Sequence, residues 1–92
     1  MLEIPSLSVG DQVHHPLLVL DVQHKGGDHP RTVVVFGNRT GRIDSAPFWA
    51  GRDEAIRGLA KGMIAQVVGT ITAYRDSMQL DATSVRPLPR GS

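Results

Sequence analysis

The sequence predicts an all-β fold: a small five-stranded barrel with one short helix between its third and fourth strands. Ten glycines and six prolines in 92 residues call for many turns and short elements, which suits a small barrel better than a helical bundle. Turn signals separate runs of alternating or β-branched apolar residues, and a single segment has helical spacing. A chain of this length holds one domain, taken as residues 1–92 with an ordered core of about 4–87. Its Pro/Gly-rich tail, 88–92, is expected to be flexible.

Each element follows in order. From Val13 to Val22, Leu18, Leu20 and Val22 alternate with Val19 and Asp21, the period of two that marks a strand. His24 to Pro30 has no periodicity and contains Gly26-Gly27, so it reads as a flexible loop. Thr32 to Phe36 is β-branched and aromatic, hence a second strand with Thr32, Val34 and Phe36 inward and Arg31, Val33 and Val35 outward. Gly37-Asn38-Arg39-Thr40-Gly41 is a tight polar turn that joins it to a third strand, Arg42 to Trp49. Pro47 cannot donate to a ladder, so an edge or a bulge is expected there. Gly51 to Lys61 reads as a helix with Ala55, Ile56, Leu59 and Ala60 on its apolar face and Gly62 as its stop. Ile64 to Ala73 and Met78 to Val85 form a hairpin around Tyr74-Arg75-Asp76-Ser77. The order β-β-β-α-β-β is that of the OB-fold, a partly open Greek-key barrel.

Composition excludes several kinds of chemistry. With no cysteine, there is no disulfide scaffold, thiolate zinc site or cysteine nucleophile. Met1-Leu2-Glu3-Ile4-Pro5 lacks the basic and apolar regions of a signal peptide, and Val33-Val34-Val35-Phe36 falls far short of the roughly 18 apolar residues a membrane helix needs. The expectation is a cytoplasmic chain without a membrane partner. Adjacent His14 and His15 on a strand point to opposite faces, and His24 with His29 supplies only two ligands, so neither a metal nor another cofactor is expected. No residue set assembles a catalytic site, and no enzyme activity is expected.

Several segments resemble the OB-fold domain at the N-terminus of bacterial 3′–5′ exoribonucleases that carry an HD phosphohydrolase domain. Val9-Gly10-Asp11-Gln12-Val13 is similar to the start of that domain. Gly37-Asn38-Arg39-Thr40-Gly41-Arg42-Ile43 looks like its Gly-Asp-Lys-Thr-Gly-x-Ile turn, with Asn for Asp and Arg for Lys. Phe48-Trp49 matches a strand ending in Trp, and residues 69–80 match Gly-x-Ile/Val-x-x-Tyr-x-x-x-x-Gln-Leu. Val85-Arg86-Pro87 is similar to a closing Ile-Arg-Pro. The resemblance spans about residues 4–87. It departs from the family at Asp76-Ser77, where a Gly is usual, and in having no His-Asp pair. It implies a nucleic-acid-binding accessory domain, with a nuclease domain or subunit as a partner, and no nuclease chemistry in this chain.

The residues themselves argue in the same direction. An OB-fold binds oligonucleotides on its second and third strands and the flanking loops. Residues 24–42 hold Lys25, Arg31, Arg39 and Arg42 against Asp28 alone, a local balance of +3 that leaves −2 elsewhere in a chain of net charge +1. Such a cationic hairpin also occurs on soluble proteins that bind nothing. Arg75 adds a cation beside the last hairpin, and Val33 and Val35 offer an exposed apolar pair to bases. Trp49 and Tyr74 are the stacking candidates, although a lone tryptophan in a small barrel more often packs in the core. The expected partner is single-stranded DNA or RNA. The alternative is a protein-docking or homodimerisation module using exposed Val33 and Val35 and the edge near Pro47.

Overall fold

The computed structural model describes residues 2–51 and 53–89. The tail positions Arg90, Gly91 and Ser92, and Arg52 in the expected helix, lie outside the described residues. The strands are β1 (Gln12–Lys25), β2 (Arg31–Asn38), β3 (Gly41–Asp44), β4 (Phe48–Trp49), β5 (Ile64–Tyr74) and β6 (Ser77–Pro87). They form one antiparallel sheet in the order β3-β2-β1-β5-β6, with β4 also paired to β2. Among the described residues no helix is long and apolar enough to cross a membrane.

β1 is the hinge of the architecture. Its first half, from Gln12 to Leu18, pairs with β5, and its second half, from Leu18 to Lys25, pairs with β2. Pro16 has no N–H to donate and falls where β5 is the only neighbour, a position a proline tolerates. Val19 pairs with Phe36 and Asp21 with Val35, so Leu20 is a bulge residue. The bulge breaks the strict alternation expected for this run. Val13, Leu17 and Val19 face the core before it, and Val22 packs against the core after it.

β5 keeps the pattern that the sequence shows. Ala65, Val67, Gly69 and Ile71 are buried while their neighbours are not. Ala65, Val67 and Ile71 build one core with Val34, Phe36, Ile43, Leu80 and Val85. Burying each large side chain contributes about 1.5–3 kcal/mol.

Two expectations are corrected. The helix expected over 51–61 is a single 3₁₀ turn, Glu54–Ile56. Ile56 and Leu59 are buried, whereas Ala55 and Ala60 are exposed, so a three-residue spacing alone reaches the core. Gly58 weakens an α-helix by about 1 kcal/mol relative to Ala, and a segment this short gains little from helical propagation. The third strand is split into β3 and β4, because Pro47 and Ala46 leave the ladder.

Ser45 manages that break. It is fully buried; its N–H donates to Val34 O at 2.8 Å, and its Oγ accepts the Val34 N–H at 2.9 Å. The side chain thus stands in for a strand carbonyl while the backbone turns away. Ser45 also makes a parallel bridge to Leu80, and Ala46 N–H donates to Leu80 O at 2.9 Å. That bridge joins β3 to β6 without a full ladder. The sheet therefore has six strands and is not closed, where a five-stranded, partly open barrel was expected.

The polar turn between β2 and β3 fastens the N-terminal segment. Asn38 Nδ2 donates to Leu2 O at 2.7 Å, and Thr40 Oγ1 accepts the Ile4 N–H at 2.9 Å. Thr40 N–H donates to Asn38 Oδ1 at 2.8 Å. Thr40 Oγ1 lies 2.6 Å from Asn38 Oδ1 and 3.1 Å from Leu2 O, and its one proton serves either acceptor. These bonds seat Ile4 in the core. At the other end, Leu88 N–H donates to Ile64 O at 2.9 Å.

Candidate nucleic-acid interface

Directly opposed residues of paired strands share a face, so the register orders the outer face of β1, β2 and β3–β4 into rows. Lys25, Arg31 and Trp49 form one row, and Gln23 and Val33 the next. Asp21, Val35 and Asp44 form a third. The face therefore runs from a cationic, aromatic end to an acidic middle. Arg42, two residues before Asp44 on β3, lies beyond it.

The Ser45–Leu80 bridge brings the β5–β6 hairpin alongside this face. The result is a cleft of about 440 Å³ in which Trp49 and Pro47 line one side and Tyr74 and Gln79 the other, with Lys25, Arg31 and Val33 also lining it. A second cleft of about 690 Å³ continues from it, lined by Val35, Arg42 and Met78 among others. Gln23 and Asp44 line both, so the two clefts adjoin there and together form a groove along this face.

Of four aromatic residues, Phe36 is core and Phe48 packs half-buried against it. Trp49 and Tyr74 are 47% and 59% exposed. The choice left open for the lone tryptophan falls on the exposed side. Its ring has the Arg31 guanidinium carbon 5.9 Å from its centroid and meets the His29 ring edge-on at 6.5 Å. Contacts of this kind are worth about 0.5–1 kcal/mol at exposed sites, enough to bias the ring's position while leaving it accessible. The Arg75 guanidinium carbon lies 5.4 Å from the Tyr74 centroid. Arg75 holds a left-handed φ of 56° at the hairpin tip.

The expected site residues divide clearly. Lys25, Arg31, Val33, Trp49 and Tyr74 meet in one cleft, and Val35 and Arg42 line its continuation. Arg75 reaches the site only through the Tyr74 ring, and exposed Arg39 lines neither cleft. Val33 and Val35 correct an expectation: they are 9% and 7% accessible, not an exposed pair. They do face away from the core cluster, but the flanking β3–β4 segment, the hairpin and the long side chains of their rows cover them. They are the floor of the groove. His24 Nδ1 hydrogen-bonds Thr32 Oγ1 at 3.1 Å and His29 meets Trp49, which gives both loop histidines local roles.

Among the groove residues that escaped the sequence reading are Gln23, Gln79 and Asp44. The alternation of Arg42, Ile43 and Asp44 contains the signal for Asp44, since buried Ile43 puts both its neighbours on the outer face. Comparison with family models, curated proteins and solved structures finds no match to this chain, so the chemistry of the site rests on its own geometry.

Proposed function

We propose that this chain is an OB-type module that binds single-stranded DNA or RNA along the groove from Trp49 to Arg42. One observation carries the reading. The two exposed rings, far apart in sequence on Trp49 and Tyr74, line one cleft together with Lys25 and Arg31. Stacking on such rings contributes about 1–3 kcal/mol per base and tolerates any sequence, while the cations meet phosphates. In support of the OB topology, β1 is shared by two halves of the sheet and β3 approaches β6 in parallel at Ser45–Leu80. The motif resemblance adds the role of a substrate-capturing accessory to a cytoplasmic nuclease domain or subunit, with no catalytic step of its own.

Titration of a labelled single-stranded oligomer at about 50 mM salt tests the reading, because phosphate contacts are strongest there. If Lys25, Arg31 and Arg42 each neutralise one phosphate, log K falls with log salt at a slope of about −2. Absence of binding at high micromolar protein refutes the proposal. The competing reading, a docking or self-association module, loses Val33 and Val35 as an exposed patch. The structure offers it instead an apolar groove lined by Leu18, Met63, Ile64 and Leu88. Light scattering with and without oligomer separates the two: a dimer that ignores nucleic acid favours the competitor.

A further inference from the structure

Asp44 stands out in a groove assigned to a polyanion. It ends β3, is exposed, and lines both clefts. Among the described residues its carboxylate makes no hydrogen bond, and the one ion pair joins Arg57 to Asp53 instead. Arg42, two residues back on the same face, does not reach it within 4.0 Å. Asp21, in the same cross-strand row, differs. Its Oδ1 accepts the Val22 N–H at 2.9 Å and its Oδ2 accepts from Gln23 Nε2 at 3.3 Å. One carboxylate of the row is satisfied internally, and the other has no side-chain partner among the described residues.

A bare carboxylate repels phosphates, so it suits a stretch of groove where bases lie rather than backbone. A carboxylate is an acceptor only, with two oxygens side by side. The base that offers two adjacent N–H donors on its Watson–Crick edge is guanine, through N1–H and the N2 amino group. Adenine and cytosine offer one amino group beside a ring acceptor, and uracil and thymine place a carbonyl on each side of their single N–H. Trp49 and Tyr74 supply ring faces within the same cleft, and the Gln79 amide lines it too.

We propose that Asp44 makes this groove select guanine, pairing its carboxylate with N1–H and N2–H of a base stacked on Trp49 or Tyr74. The proposal rests on the nucleic-acid reading above. The probes are oligouridine strands of about 10 nucleotides, within the site size of one OB domain, unmodified or with one central guanine, adenine or cytosine. The guanine strand is expected to bind at least about 5-fold tighter than the all-uridine strand, the lower end for one bidentate base contact. Asp44→Asn keeps the fold, having no internal side-chain partner to lose, and removes the preference for the guanine strand over the other three. Two results overturn the proposal. Either all four strands bind the wild-type chain within about twofold, or Asp44→Asn tightens all four equally, which makes the carboxylate a repulsive charge and no more. If no strand binds wild-type protein, the nucleic-acid reading itself falls, and that failure is distinct from binding without preference.

Discussion

Replacing Ser45 by alanine removes one oxygen from the point where β3 leaves β2 and touches β6. The Oγ accepts the Val34 N–H at 2.9 Å, and both residues are fully buried. A buried donor left without a partner costs about 1–3 kcal/mol. For a domain of this size each kcal/mol lowers Tm by about 4–8 °C, so a central loss of about 2 kcal/mol predicts a fall of about 8–16 °C. Thermal and urea unfolding followed by circular dichroism measure it, and the urea midpoint should drop at unchanged slope. Ser84→Ala, at an exposed position of β6, should stay within about 0.5 kcal/mol of wild type. A Ser45→Ala protein as stable as that control would show that the Val34 amide does not depend on the hydroxyl, and the account of the β3 break would be wrong.

Two further stability predictions use the same assays. A methyl group added at Gly69 would sit 2.9 Å from Ala82 Cα and closer still to Asp81 O, both backbone atoms of the bulged partner strand. Gly69→Ala is therefore expected to cost about 1–3 kcal/mol, whereas Gly58→Ala, with nothing within 4 Å of the added methyl and no left-handed φ, should be neutral or gain about 0.4–1 kcal/mol. Asn38→Ala loses the bonds to Leu2 O and from Thr40 N–H, at about 0.5–1.5 kcal/mol each. Limited proteolysis should then cut near Leu2–Ile4 faster than in wild type; equal rates would mean that the turn does not hold that segment.

Local pattern was readable in this sequence, and what depends on a partner strand was not. The alternation of Ala65, Val67 and Ile71, the hairpin at Arg75-Asp76 and the break at Pro47 all follow from residues next to one another. The bulges at Leu20 and Thr83 do not, because each is set by how two strands meet. Thr83 is skipped where Gly69 opposes Ala82 and Val68 opposes Ser84. Ile56 and Leu59 showed that the segment after β4 packs on the core, but three residues of spacing fit a 3₁₀ turn as well as an α-helix. At the site, residue type pointed to the rings and the cations. Depth did not follow from type: Val33 and Val35 face outward as alternation requires, yet the β5–β6 hairpin and β3–β4 segment close over them. That hairpin arrives through the Ser45–Leu80 bridge, a contact between residues 35 positions apart.

The central claim is that bases stack on the ring of Trp49. Trp49 is the only tryptophan in the chain, so its emission reports on the groove without a label. Adding a single-stranded oligomer at low salt should quench that emission in step with binding, and Trp49→Ala should weaken binding by about 5- to 150-fold, the 1–3 kcal/mol of one stacked base. Binding that leaves the emission unchanged and survives Trp49→Ala would place the strand elsewhere and contradict the account.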